Sequence, residues 1–477
     1  MYLKATFALV RKPPIRLAIS ALRCGQYWAM WNYDIIKKEL MKKSKNLSLI
    51  EVVAMAVGTM IGASIFSIFG LGAKIAGNNL PEAFVLSGIY ALIVAYSYAI
   101  LGSKIISNAG PIAFILKGLG DSIVTGALSI LMWLTYVISI ALFVKGFAGY
   151  LLPFIHIEPT PLAIGIVEVI VIAFFTALNF FGSKAVGKAE FYIVLVKLSI
   201  LLVFILGGFM TINWGMTKPS FNAEHTSSLL NASIIFFLSY MGFGLITNAS
   251  ENIKNPQKNV PLAIFISILF VMVFYILISL VTIGNLPLAD IIKAQENALA
   301  IAAKPFLGDF GFILITIGAL FSISSALNAT IFGGANIAYS LAKDGELPQF
   351  FERKLWFKST EGLYLTAGLG LAFALFFDLG AIASLTSTIY TVIYVFVLIS
   401  HLKLQKEYGG KKVFLVINLI ILSIIFIALM KYQWDTQRSA FYASIFTFIG
   451  AFIVEYFYRK YGNRKMKDNT NSTFPQQ

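Results

Sequence analysis

The sequence predicts an all-α polytopic membrane protein with twelve transmembrane helices, on three observations. Of the 477 residues, 58% are hydrophobic and only 12% are charged, with a mean hydropathy of +0.82. Soluble domains carry about 25% charged residues, so the main solvent of this chain is lipid. Apolar segments long enough to cross a bilayer recur twelve times. Finally, the basic residues alternate between the two sides. With the N-terminus inside, 29 of the 37 Lys and Arg fall in inside stretches and six fall outside: Lys74, Lys218, Lys293, Lys304, Lys431 and Arg438. An odd number of spans would break that pattern, so both termini are expected to be cytoplasmic in a multi-pass protein of the cell membrane. The formal net charge of +15 lies in these short loops, which argues for membrane orientation and against nucleic acid.

Residues 1–48 read as a cytoplasmic N-terminal segment. Five basic residues precede the first acid, Asp34, and no long apolar stretch occurs before residue 49. A transit peptide or an amphipathic surface helix would fit that composition. The favoured expectation is a start assigned too far upstream, with residues 1–40 foreign to the protein and Met41 as initiator. The spans follow at about 49–76, 82–103, 122–152, 160–181, 188–212, 228–252, 259–284, 308–342, 361–378, 380–402, 411–430 and 437–458. Only Leu379 separates the ninth from the tenth. Residues 460–477 form a basic-polar tail. Cys24 is the one cysteine, which excludes a disulfide framework and a cysteine zinc site.

Two spans are interrupted by flexible residues, the first in VGTMIGASIFSIFG (57–70) and the sixth in SYMGFGLITNAS (239–250). They begin about 184 residues apart, and the two longest spans, the third and eighth, share a similar offset. Interrupted apolar segments at matching places in two halves point to a transporter binding site. The expectation is a 5+5 inverted-repeat core over 49–404 with discontinuous helices one and six, followed by two further helices over 405–459. In the first break, Gly58, Gly62, Ala63 and Ser64 surround Thr59, Met60 and Ile61. An opened helix there would offer backbone N–H donors and the positive end of a helix dipole to a carboxylate. In the sixth span, Met241, Gly242, Phe243 and Gly244 would leave carbonyls for an ammonium group. Alternatively, these glycines only permit close helix packing.

Lys197 is the other conspicuous feature. It lies about ten residues into the fifth span, roughly 15 Å deep at ~1.5 Å per residue. A charge at that depth costs about 2.5–3.5 kcal/mol, so it faces protein or water. On the eighth span, Ser322, Ser325 and Asn328 have helical spacing and would face Lys197 or bond neighbouring helices. Glu168 and Lys145 also lie within spans. No metal-ligand cluster, paired intramembrane carboxylates or nucleophile–base pair is present, so neither enzyme activity nor a metal or cofactor is expected.

VGTMIGASIF resembles the G-x-x-I-G-[SA]-G-I-F signature of amino acid permeases of the amino acid–polyamine–organocation superfamily. SENIKNPQKNVPLAI (250–264) is similar to that family's E-E-x-x-N-P-x-x-x-x-P-x-A-I. LAKDGELPQFF (341–351), NALAIAAKPFLGDFG (297–311) and GSKAVGKAEFYIVLVK (182–197) match further family segments in the correct order. The resemblance implies alternating access around a site in which Thr59, Met60, Ile61, Gly62, Ala63 and Ser64 hold the substrate carboxylate. It also implies that Tyr240, Met241, Gly242, Phe243 and Gly244 form the helix-six break, with Phe243 at a gating position. Lys197 matches a helix-five lysine that stands, in sodium-independent members, where relatives hold sodium. Ser64 departs from the signature's third glycine, and Gly244 stands where many members have an acid or amide.

The expected function is secondary active, sodium-independent amino acid transport by proton symport or exchange. Desolvation disfavours an ammonium, which leaves proton release open to Lys197 alongside a purely structural role. Met60, Met241 and Phe243 are apolar and neither break contains an acid, so the expected substrates are neutral amino acids. Cationic amino acids or polyamines are the alternative. A sensor that binds amino acids without moving them would normally carry a sizeable signalling domain.

Overall fold

The computed structural model describes residues 47–179, 186–343, 345, 347, 351 and 361–462. Residues 1–40 and the tail after 462 lie outside that description. The described chain is nearly all helix. Its α-helices are α1 (Leu49–Ala76), α2 (Leu80–Lys104), α3 (Pro111–Leu119), α4 (Ile123–Phe154), α5 (Pro161–Leu178), α6 (Val186–Phe209), α7 (Ala223–Phe236), α8 (Gly244–Asn248), α9 (Pro256–Asn285), α10 (Leu288–Ala294), α11 (Ala298–Lys343), α12 (Glu361–Phe376), α13 (Leu379–Tyr408), α14 (Lys412–Thr436) and α15 (Arg438–Gly462). Among the described residues ten helical stretches are long and apolar enough to cross a membrane, and α12 is a shorter apolar helix.

Local chemistry sets where the helices begin. A helix leaves its first N–H groups unpaired, and short polar side chains satisfy them. Ser48 accepts from the Glu51 amide while the Glu51 carboxylate takes the Ser48 amide, a reciprocal capping box at α1. Ser122, Thr160 and Asn222 cap α4, α5 and α7 with a single bond each, accepting from Thr125 N, Ala163 N and His225 N. Asp378 caps α13 by accepting from Ala381 N at 2.9 Å, which separates α12 from α13 where the hydropathy alone nearly merged them. Proline opens α3, α5 and α9, where its missing N–H costs nothing.

The interior is built around α1, which packs against α4, α6, α7, α9 and α11, while α2 lies along α9 and α4 along α11 and α12. The outer faces are apolar. Leu162, Ile166, Ile170 and Phe174 recur every four residues on α5 and are 50–75% exposed. Ile417, Ile420, Ile424 and Ile427 form an equivalent stripe on α14. Such stripes have no place in water but suit a lipid boundary. Buried hydroxyls on α13 bond back to their own helix, as Thr386 does to Ile382 O at 2.7 Å, whereas Ser387 reaches Ile234 O at 3.0 Å and ties α13 to α7.

One expectation fails here. Helix one is not discontinuous: α1 is α-helical from Leu49 to Ala76 through the whole VGTMIGAS segment. Its N–H groups therefore serve the helix itself, and its glycines serve packing. Helix six is not interrupted by an unwound stretch either, but its winding changes. α7 tightens into a 3-10 stretch, Phe237–Phe243, before one short turn of α-helix (α8) and a second 3-10 turn, Ser250–Asn252. The long eighth span begins at Ala298, ten residues before its hydropathy onset, and kinks at Gly308, whose φ of +61° only glycine adopts freely.

At the C-terminal end, Arg459 Nε donates to the fully buried Glu455 at 2.6 Å, and Nη2 reaches Asp121 and, at 3.0 Å, Ser122 O. This fastens α15 to the start of α4. Arg459→Ala removes the cation beside a buried carboxylate and should cost about 3–5 kcal/mol. A thermal melt of the purified protein checks this, and an unchanged midpoint would count against the anchor.

Candidate functional site

The middle of α1 is held from three directions. On one side, the Lys197 ammonium, on a side chain only 2% exposed, donates to Gly58 O at 2.6 Å. A Cβ added at Gly62 would lie 3.2 Å from Lys197 Nζ, 3.3 Å from Ala326 Cβ and 3.8 Å from Ser322 O. Gly62 is therefore the notch in which α1, the α6 lysine and α11 meet. On a second side, Tyr275 of α9 places its hydroxyl 2.6 Å from Met60 O and 3.2 Å from Ser239 O, sharing one proton between helix one and helix six. On the third, Gly242 lies flush on α1: its added Cβ would meet Met60 Cγ at 2.8 Å, Met60 N at 3.0 Å and Ala56 O at 3.2 Å. Tyr275→Phe should lower stability by roughly 0.5–1.5 kcal/mol and slow any movement-coupled activity severalfold. Matching melts and activities for the two proteins would argue that the shared proton is idle.

Between these contacts and α3 lies a cavity of about 110 Å³. Six of the residues singled out in the sequence line it: Thr59, Met60, Ser64, Met241, Gly242 and Gly244. The others do not. Ile61 and Gly62 are buried on the far face of α1, and Ala63's side chain is outside the described residues. Tyr240 is fully buried with its hydroxyl donating to Phe84 O at 2.8 Å. Phe243 stands one layer back, stacked on Tyr394 at 5.9 Å and edge-on to Tyr98 at 5.3 Å. Lys197 and Ser322 lie behind α1, where Ser322 contributes its backbone carbonyl to the Gly62 notch, and Ser325 is buried away from the cavity lining.

The sequence reading missed the cavity's tyrosines: Tyr98 from α2, Tyr136 from α4, and Tyr390 and Tyr394 from α13. The Tyr394 hydroxyl and the Ser239 Oγ are buried without a hydrogen-bond partner, while Asn248 donates to the Tyr136 hydroxyl at 3.1 Å. Unpaired buried hydroxyls cost about 1–3 kcal/mol each, which suits a cavity completed by a polar ligand. Among the described residues no charged side chain lines it.

The two ends of this region are closed by different chemistry. Away from α3, Phe84 stacks on Phe236 at 4.2 Å, and Gly70 and Gly72 bring α1 against the Gln295 backbone and the Phe236 ring. Toward α3 the contacts are polar. Ser107 N donates to Ser250 Oγ at 3.0 Å, and Asn108 N and Nδ2 donate to the Glu251 carboxylate at 3.1 and 3.3 Å. Elsewhere, Lys145 and Glu168 pair with one another at 3.0 Å, and Asn328 accepts from Asn179 at 3.0 Å. Among the described residues no cluster of His, Cys, Asp and Glu could hold a metal ion.

The family model described as amino acid permease matches residues 47–454. The chain belongs to the amino acid permease family. An uncharacterized protein of Methanocaldococcus jannaschii is 63% identical over 427 residues, covering 90% of this chain and 98% of its own. The inner membrane transport protein YbaT of Escherichia coli is 30% identical over 401 residues, covering 83% and 92%. The methylthioribose transporter of Bacillus subtilis is 28% identical over 385 residues, covering 76% and 82%. The protein is thus a multi-pass membrane permease, and its apolar outer stripes are lipid-facing surface.

Proposed function

We propose that this permease is a sodium-independent secondary transporter of neutral amino acids, working by alternating access through proton symport or exchange. The observation that carries the reading is the Lys197 ammonium at 2.6 Å from Gly58 O, beside Ala326 and the Ser322 carbonyl across Gly62. A cation at the junction of helices one and eight does there what a bound sodium ion would do: it neutralises carbonyl dipoles and joins two helices that must move relative to one another. Because this cation is covalently fixed, no sodium need enter.

In this reading the twelve spans comprise a 5+5 inverted repeat and two C-terminal helices, with both termini in the cytoplasm of a cell whose plasma membrane holds the protein. The packing of α2 along α9 and of α4 along α11 supports it, since an inverted repeat would bring equivalent helices of its two halves together. The substrate carboxylate lies against Thr59 and Ser64, the two hydroxyl residues that α1 presents to the cavity. The ammonium lies at the carbonyls of Tyr240–Gly244. The cavity toward α3 takes the side chain, with Met60, Met132 and Met241 as polarisable, apolar wall. The aromatic layer at Phe84 and Phe236 closes the outside, and the Asn108–Glu251 contacts form the inner latch.

The absence of an acid from the cavity wall supports neutral over cationic substrates. Uptake of labelled leucine and arginine into proteoliposomes, with and without a pH gradient, decides between them. Leucine uptake with no arginine uptake is expected. The reverse would favour the cationic reading, and binding without uptake of either would favour a sensor.

A further inference from the structure

A second cavity, of about 380 Å³, lies between α4, the connection from α10 to α11, and the start of α13. None of its lining residues belongs to the first cavity. Its wall combines both signs of charge: Lys145 and Lys293 with Glu296 and Asp378. Three observations give it the character of a built site. Asn297 lines it, is only 5% exposed, and its Oδ1 is buried with no hydrogen-bond partner. A buried acceptor left open is costly unless a donor arrives. The Lys145 ammonium spends one donor on Glu168, which is 1% exposed, and an ammonium has three. The Glu296 side chain rests on Gly149, one helical turn beyond Lys145 on the same face of α4, and Glu296 lies within electrostatic reach of Lys145.

The wall thus presents a held cation, a carboxylate about one turn (~6 Å) away and an unfilled acceptor beside that carboxylate. A ligand with one negative end and one ammonium end satisfies all three. A simple anion would face Glu296, and a simple cation would face Lys145. We propose that this cavity is a second binding site, for the zwitterionic backbone of a free α-amino acid. Its carboxylate lies on Lys145, and its ammonium lies on Glu296 and Asn297 Oδ1. The inference deepens the transport reading, because the same connection covers one end of α1. The Gln295 backbone lies directly on Gly70. A ligand joining Asn297 and Glu296 to α4 clamps that connection over α1, so occupancy of the second site slows opening of that end.

Ile301 lines the cavity and Cys24 is the sole cysteine, so Ile301→Cys in a Cys24→Ser background reports occupancy by maleimide labelling of the whole solubilised chain. Glycine and L-leucine should slow the labelling severalfold. The slowing should persist in Gly244→Leu, which fills the first cavity where there is room for a side chain, and vanish in Asn297→Leu. Isovalerate and isopentylamine, each with one of the two charges, should not protect. No slowing, slowing lost in Gly244→Leu, slowing retained in Asn297→Leu, or equal protection by isovalerate would overturn the proposal. Equilibrium dialysis of labelled glycine against the Gly244→Leu protein is the second measurement: about one glycine per chain supports the site and none refutes it. Protection without any leucine uptake would sink the transport reading and leave this site standing.

Discussion

Lys197→Met should abolish amino acid uptake while the protein still reaches the membrane. Methionine keeps the length and apolar stem of lysine and removes only the donor. Gly58 O then loses its 2.6 Å partner, and the helix-one to helix-eight junction loses its cation. Bonds from charged donors contribute about 1.5–3 kcal/mol, so a lower thermal midpoint should accompany the loss. Lys197→Arg should not rescue, because Nζ already lies 3.2 Å from where a Gly62 Cβ would be and a guanidinium is larger. Lys197→Ala separates the two roles of the lysine. If it is a proton carrier, the variant still binds and exchanges substrate but no longer responds to a pH gradient. If it is a strut, binding and stability fall together. Uptake at the unmodified rate would contradict both.

Gly242→Ala should reduce uptake by about tenfold or more, even though it adds a single methyl group. Two of the three atoms that the new Cβ meets belong to the α1 backbone, Met60 N at 3.0 Å and Ala56 O at 3.2 Å, and they cannot swing aside as a side chain can. Overpacking of this kind costs about 1–3 kcal/mol and is relieved only by pushing α1 off helix six, where the cavity forms. Gly244→Ala is the control. The nearest atom to its added Cβ is Tyr98 Cε1 at 4.0 Å, so there is room. Transport rates and melting curves of the two variants, measured side by side, check the contrast. Equal losses would show that the site reports general helix damage instead of this contact.

Much of the frame could be read before the structure because hydropathy and charge placement act on long stretches. The succession of apolar helices and the burial of Lys197 follow from that scale of information. The continuity of α1 does not. Gly58 and Gly62 permit an opened helix or a close approach equally well, and only the arrival of Lys197 and Ala326 at Gly62 shows which use this conformation makes of them. Lys145 and Glu168 each stood out as expensive charges, but their pairing across the turn between α4 and α5 depends on the facing of two helices. The tyrosines of the cavity come from three helices far apart in the chain. A single tyrosine in an apolar run carries no mark of whether it faces core, interface or cavity. Short helices such as α3 and α10 escape a hydropathy window because they are too brief to produce a signal.

The central claim is that a fixed ammonium replaces sodium at the junction of helices one and eight. The most direct test is the initial rate of leucine uptake into proteoliposomes with sodium, with choline in its place, and with either at a fixed pH gradient. The account predicts equal rates with and without sodium. A strict requirement for sodium would contradict it.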